Sequence, residues 1–533
     1  MYSSYSSLQQ SQLAAQGYYD TQSTYLLVYA PGRNTALRAT LADQLHRKFR
    51  LADTLGSALT EGVDGVLLVS EDVECMSTAL MCFAKALQDG ADYAVCNAVF
   101  SFGGATALYQ SRAHLAQNRC ALVSRPLLER CRAAAKDPEN VTELLALAAQ
   151  FCAHPARIPQ ALLHYERDIC AEDAFSATGK RAFLMSHVLD MTGAPIVLVS
   201  AVPVLRSMGY EVVVLGPSDG GALQLFVDAG AAVITRPGIR ATPNLWGLAL
   251  CTDLVLVNTV VMARAVRALS GTAVPVLWWL HDAFAGYPHI AHQIPTQLGE
   301  NVRVYSVGSH AANAMRAVRP EFEIRPLIYG LPDYAAENFV RTDLGYNRGR
   351  PLFATVGSFE RRKGHDIFCK AIRLLPPEVR EKASFLFVGQ AADKEMMDSV
   401  RALTADYPEN VYYCKRLTRD EIKSLMEQCT GLVCASRDDP MPTFVTEGLI
   451  FGKPSIVSEH TGTAGLISEG RNGFVYHNDD PQQLAVLLEH AIEHPEELAS
   501  MRTECRKMYE QYYSKEAFEQ TLRAAVEDLT AKK

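Results

Sequence analysis

No Cys-x-x-Cys pair occurs among the 13 cysteines, an odd number scattered along 533 residues. A disulfide framework or a zinc ribbon would need paired spacings, so the cysteines read as core residues in a reducing compartment. Basic charge is also in short supply: 51 Lys and Arg against 59 Asp and Glu leave a net charge of −8. That excludes a general nucleic-acid binder, whose phosphate contacts need a basic surface. A local patch at Arg303, Arg316, Arg319 and Arg325 still leaves peripheral membrane association open. No apolar run is long enough to span a bilayer, because the most apolar window, 245–263, is broken by Thr252, Asp253, Asn258 and Thr259. The start, MYSSYSSLQQSQ, has neither a basic cluster nor an apolar stretch and is not expected to act as a secretory signal. The expectation is a cytoplasmic chain, at most peripheral at the inner face of a membrane.

What is present suffices for large cores: 48% of the residues are hydrophobic, and the length allows about three domains. Residues 1–24, rich in Ser, Gln and Tyr, are expected to be poorly ordered. Residues 25–175 alternate strand-like runs (YLLVYA, GVLLVS, DYAVCN) with helical ones, an α/β pattern. A linker near 169–181 leads into 176–335, which begins with strand, glycine turn, apolar helix and strand, the βαβ unit of a parallel sheet. Gly193 lies in that turn, where a small residue lets a substrate approach the backbone. Periodicity lapses over 326–351, the expected hinge. A second doubly wound domain occupies 336–514, where FLFVG, VYYCK, GLVCA and PSIVS read as strands covered on both faces. Its helix 419–429 has a capping box, Thr418 with Glu421, and turns Ile422, Leu425, Met426 and Cys429 inward. Residues 515–533 form an amphipathic helix.

Two stretches carry the chemistry. Residues 436–456, SRDDPMPTFVTEGLIFGKPSI, run from an acidic, proline-studded loop into an apolar helix. That helix is expected to begin at Thr443 and Phe444, just after Pro442, and its first turn offers unpaired amides and a positive dipole end to an anion. Glu447 lies one turn further on the same face as Thr443, and Asp439 stands eight positions before it. Amides for a diphosphate and a carboxylate for hydroxyls suit a nucleoside diphosphate; the plain alternative is an ordinary helix start with a solvated Glu. Residues 351–364, PLFATVGSFERRKG, read as a buried strand, a glycine turn and Arg362-Lys363-Gly364 leading into a helix, with both cations placed to meet phosphate. His281, just past VLWWL, stands at a strand's carboxyl end, where ligands gather in open α/β sheets.

In order and spacing, these motifs resemble the retaining family 4 group of GT-B glycosyltransferases over roughly residues 180–530. The resemblance implies two Rossmann-like domains around a nucleotide-sugar donor. Arg362, Lys363, Thr443 and Phe444 would hold the diphosphate, Glu447 the ribose and Asp439 the donor sugar. His281 would lie beside the transferred sugar and Gly193 in the acceptor-side loop. The resemblance further implies no metal or other cofactor, a glycan or lipid-linked acceptor, and a place in cell-surface polysaccharide synthesis. The 515–533 helix would cross back onto the N-terminal GT-B domain. Asp439 departs from the usual Glu, and Ser358 stands where many relatives have an arginine.

Residues 25–175 resemble a truncated family 2, GT-A-like domain, with Ser70, Glu71 and Asp72 where an acidic pair would hold a metal and the donor diphosphate. The departures there leave acceptor binding, or assembly with glycan-building partners, as its expected role. Retaining transfer by front-face attack needs no protein nucleophile, so Lys363→Ala and Glu447→Ala are each expected to abolish transfer and keep the fold. Two other readings fit the sequence: a sugar-nucleotide epimerase of the same fold, and a non-catalytic carbohydrate-binding or scaffolding protein.

Overall fold

The computed structural model describes residues 21–531, apart from 57–58, 60–61, 103–104, 111–118, 176–178, 219 and 241–242. Most of the amino-terminal segment expected to be poorly ordered, residues 1–20, therefore lies outside the described residues. By contacts the chain divides into two compact units, Met1–Leu256 and Val257–Lys533.

The first unit is built on one mixed sheet. Its strands are β1 (Leu26–Tyr29), β2 (Phe49–Ala52), β3 (Gly65–Val69), β4 (Tyr93–Phe102), β5 (Ala105–Gln110), β6 (Cys120–Ser124), β7 (Pro155–Asp168), β8 (Lys180–Met185), β9 (Tyr210–Gly216) and β10 (Ala232–Thr235). They follow the order β8-β9-β10-β5-β4-β6-β3-β1-β2, with β7 alongside β4. The trio β2-β1-β3 is parallel, as is β8-β9-β10. The antiparallel pairing of β10 with β5 joins these two groups into one sheet. This pairing also satisfies the backbone groups that an open β10 edge would present to solvent. Leu27, Val66, Leu68, Tyr93, Val123 and Leu144 share one core in the amino-terminal half. Helix α1 (Gly193–Ser207) starts in the turn after β8.

The second unit contains two sheets. One holds the parallel strands β11 (Val276–Leu280), β12 (Val302–Ser306) and β13 (Ile324–Pro326), with helix α2 (Ser309–Arg316) after β12. The other is six-stranded and parallel: β14 (Leu352–Val356), β15 (Ser384–Val388), β16 (Val411–Cys414), β17 (Gly431–Cys434), β18 (Ser455–Ser458) and β19 (Gly473–Tyr476). Its order is β16-β15-β14-β17-β18-β19. The chain thus winds outward from β14 on one side and from β17 on the other, a doubly wound layout whose switch point lies between those neighbours. FLFV, GLVC and SIVS become wholly buried strands, because helices cover both faces, whereas VYYC forms the edge strand β16 and only Val411 is fully buried.

Three helices frame the site: α3 (His365–Leu374), α4 (Arg419–Gln428) and α5 (Thr443–Ile450). The α3 stripe of Ile367, Phe368, Ala371 and Ile372 is buried, and the Thr418–Glu421 capping box opens α4. Ile422 is only half-buried, however, whereas Lys423 is buried with its ammonium 2.8 Å from Glu337. The last helix, α6 (Lys515–Thr530), lies against β11, with Phe518 stacked on Trp279 at 5.7 Å.

Candidate functional site

The two chemistry-bearing stretches follow the two strands that flank the switch point. β14 feeds the loop 357–364 and β17 feeds the loop 435–442, so both loops open at the carboxyl ends where a doubly wound sheet leaves a crevice. The loops are stitched to each other. Gly364 has a left-handed φ of 66°, and a Cβ there would sit 1.8 Å from the Ala435 carbonyl oxygen, so only glycine allows this approach. The Arg437 amide donates to the Arg362 carbonyl at 2.7 Å, and its guanidinium forks onto Asp366 with two 2.8 Å bonds.

Within this frame Lys363 reaches across to Asp439, with Nζ 2.6 Å from Oδ2. Asp439 is only 3% exposed, and its other contacts are longer: the Met441 amide at 3.3 Å and the Ser436 hydroxyl at 3.5 Å. Lys363 is therefore a compensated cation rather than a free hook, although an ammonium has three donors and this pair uses one. Arg362 is exposed and donates Nε to Glu360 at 2.8 Å; Ser358 also donates to that carboxylate. Burial pushes the Glu360 carboxyl up, but the Ser358 and Arg362 contacts outweigh it and hold it below the usual range.

Helix α5 begins at Thr443 with Pro442 as its N-cap and no side-chain cap. The amides of Thr443 and Phe444 therefore have no intrahelical acceptor. Thr443 is exposed and Phe444 buried. The Tyr329 hydroxyl lies 3.4 Å from the Thr443 hydroxyl, within electrostatic reach of both Asp439 and Glu447. Glu447, 7% exposed, takes a 2.7 Å bond from Arg419, whose guanidinium lies over the Tyr334 ring. Burial pushes the Glu447 carboxyl up and Arg419 pulls it back, with burial the stronger. Glu447 is thus a buried carboxylate paired with a half-exposed arginine, where the plain sequence alternative placed it in solvent.

His281 follows β11, half-buried, with its ring 4.6 Å from Trp279. The neighbouring Asp282 accepts from the Val260 amide at 2.6 Å, and burial pushes its carboxyl up to about 6. Two residues further, the amides of Phe284 and Ala285 donate to Asp438. The His281 loop and the Asp439 loop thus meet through Asp438. Gly193 belongs to the first unit, where it opens α1 with no atom within 4 Å of a Cβ position.

The acidic pair after β3 is engaged in the fold. Glu71 receives Arg167 at 2.6 Å, and Asp72 accepts from the Ala36 and Leu37 amides at 3.1 and 3.0 Å. Among the described residues, no group of three or more His, Cys, Asp or Glu side chains is arranged to hold a metal ion.

Sequence reasoning passed over Asp438, His310, Tyr329 and Arg419. His310 was within reach of the rule that singled out His281, since it too follows a strand's carboxyl end, that of β12. Arg419 and Tyr329 carry no local signal, because their partners lie 28 and 114 residues away.

Comparison with known proteins gives this geometry a class. Residues 178–318 match the family Glycosyl-transferase family 4, and residues 337–508 match Glycosyl transferases group 1. These two stretches are glycosyltransferase domains, and their fold is of the GT-B type. Among curated proteins, the chain is similar to the uncharacterized glycosyltransferase MJ1178 of Methanocaldococcus jannaschii, with 25% identity over 194 residues, 36% of this chain and 53% of that protein. It is also similar to spore coat protein SA of Bacillus subtilis, with 26% identity over 160 residues, 28% of this chain and 41% of that one. The chain thus spans about half or less of the length of these relatives. Among solved structures, Anabaena Alr3699/HepE in complex with UDP aligns with a TM-score of 0.53 and 18% identity, covering 66% of this chain and 100% of that one. WaaG, a glycosyltransferase involved in lipopolysaccharide biosynthesis, aligns with a TM-score of 0.50 and 17% identity, covering 66% and 99%.

Proposed function

We propose that this protein is a retaining glycosyltransferase that moves a hexosyl unit from a nucleoside diphosphate sugar to a glycan or lipid-linked acceptor. One observation carries the reading: the two loops at the switch point meet through the Lys363–Asp439 pair, and the second of them leads into α5, which starts without a side-chain cap and carries the buried Glu447. Departure of the diphosphate builds negative charge, and a fixed ammonium with two peptide amides stabilises that charge without reorganising. Glu447 accepts from the ribose hydroxyls, with Arg419 opposing the rise that burial imposes on its carboxyl. Asp439 meets the donor sugar while holding Lys363 in place, and His281 borders the reacting carbon. The bond between the anomeric carbon and the diphosphate breaks, the acceptor oxygen bonds the same face of that carbon, and its proton passes to the leaving diphosphate. Transfer in this reading uses no metal and no protein nucleophile.

The solved HepE complexes with UDP and with UDP-glucose make uridine donors the first to try. WaaG's role in lipopolysaccharide biosynthesis supports a surface-glycan acceptor. Residues 25–175 are read as a GT-A-like remnant serving acceptor binding or assembly, since Glu71 and Asp72 already have partners within the fold. Among the described residues no helix is long and apolar enough to cross a membrane; the proposal places the protein in the cytoplasm, peripheral at the inner face. The test is a screen of the full chain with UDP-, GDP- and dTDP-sugars, reading released nucleotide and epimerised donor separately. Nucleotide release with acceptor supports transfer, an epimer without acceptor turns the reading to epimerisation, and no binding of any nucleotide by calorimetry leaves a carbohydrate-binding scaffold.

A further inference from the structure

Asp438 sits between Arg437, which ties the two switch-point loops together, and Asp439, which pairs with Lys363. Its backbone belongs to that donor-side loop. Its side chain turns the other way and collects three donors from the segment after β11 and from α2. Oδ1 accepts from the Phe284 amide at 3.1 Å and from His310 Nε2 at 2.6 Å, and Oδ2 accepts from the Ala285 amide at 2.8 Å. The carboxylate is 14% exposed and the imidazole 4%. The His310 ring is wedged between Phe284 at 5.1 Å and His460 at 5.6 Å, and His460 in turn faces the Arg437 carbonyl. Gly308, just before α2, lies so close to the donor-side loops that a Cβ there would meet Met441 Cε at 2.8 Å and the Gly462 carbonyl oxygen at 3.1 Å.

Three convergent donors on one carboxylate form a rigid joint, because charge-assisted bonds fix both partners more tightly than neutral ones. The anchored amides are three and four residues beyond His281, on an exposed turn between the Asp282 contact to Val260 and the buried Tyr287. We propose that Asp438 is a positioning residue: it sets the loop bearing His281 against the loop bearing Asp439 and so aligns the sugar for transfer. This role rests on the glycosyl-transfer reading above. Alignment of reacting groups acts on the chemical step, whereas the diphosphate and ribose contacts lie on the other side of the joint. Asp438 therefore governs turnover and leaves nucleotide affinity alone.

The test compares wild type, Asp438→Ala and Asp438→Asn in the full chain. It measures amide hydrogen exchange over 281–287, turnover of the donor that wild type uses in the screen, and calorimetric affinity for the matching nucleoside diphosphate. In Asp438→Ala, exchange at Phe284 and Ala285 is expected to rise at least about tenfold, and kcat to fall about ten- to hundredfold, with nucleotide affinity within about threefold of wild type. Asp438→Asn, which keeps an acceptor oxygen for one amide, recovers part of both losses. An unchanged kcat, unchanged exchange, or an affinity loss equal to the kcat loss overturns the positioning role while transfer by wild type stands. Absence of transfer by wild type with every donor overturns the glycosyl-transfer reading itself.

Discussion

Lys363→Ala perturbs more than a phosphate contact, because it strands the Asp439 carboxylate. That residue is 3% exposed, and the ammonium at 2.6 Å is its one close partner; the Met441 amide at 3.3 Å and the Ser436 hydroxyl at 3.5 Å are too long to replace it. Removing one member of a buried pair costs about 3–5 kcal/mol. The Lys363 side chain is 19% exposed, so water partly refills the vacated space and the expected loss is about 3 kcal/mol. Asp439→Asn in the same chain removes the stranded charge and recovers most of the loss. Urea unfolding followed by tryptophan fluorescence reads this, since Trp278 and Trp279 are fully buried in the same unit. A loss below about 1 kcal/mol, or no recovery in the double variant, refutes the argument. Sugar transfer is abolished in both variants even where the protein is folded, so the structure adds a stability cost to a substitution that the sequence alone treated as neutral for the fold.

Other outcomes follow from neighbouring contacts. Gly364→Ala forces a left-handed φ of 66° on a Cβ lying 1.8 Å from a carbonyl oxygen and is expected to cost at least about 2 kcal/mol in the same urea assay. Arg419→Ala leaves burial unopposed at Glu447 and raises its carboxyl further, so the affinity for UDP, measured by calorimetry, is expected to weaken as pH is lowered, and more steeply than in wild type. Burial raises the Asp438 carboxyl, but His310 and the two amides outweigh it and hold it below the usual range. Its contribution to stability is therefore intact above about pH 4 and is lost as pH falls through the lower native value. Asp438→Asn is accordingly expected to cost about 2 kcal/mol at pH 7 and progressively less as pH falls below about 4, as read by urea midpoints. A chain beginning at residue 176 lacks β5 and bares the β10 edge, so it is expected to self-associate in sedimentation at concentrations where the full chain does not.

The parts of the site that could be read from the sequence are those set within one turn or one loop. The start of α5 after Pro442 and the left-handed Gly364 after Lys363 follow from proline and glycine geometry, which needs no distant partner. Parallel strands covered on both faces were likewise legible, because a short unbroken apolar run is a local property. Strand order was not, and it is what gives the motifs their meaning: β14 and β17 are neighbours only because β15 and β16 wind away to one side. The pairing of Lys363 with Asp439 spans 76 residues, and the grip of Asp438 on Phe284 spans 154. No periodicity encodes such distances, so Lys363 and Asp439 looked independent in the sequence.

The half-buried Ile422 beside the buried Lys423 shows the same limit from the apolar side. Helical spacing predicts which stripe turns inward, but it does not foresee that Glu337 would supply a charge able to bury a lysine. A similar substitution of partners explains the acidic pair after β3. Adjacent carboxylates at a strand end suit a metal only while they are free, and Arg167 together with the first amides of the 35–41 helix has taken both. The loops after β14 and β17 carry the opposite arrangement: the Lys363–Asp439 pair uses one of the three ammonium donors, and the first amides of α5 have no intrahelical acceptor. In the proposed reading, that surplus of donors, rather than any single motif residue, is what receives the diphosphate.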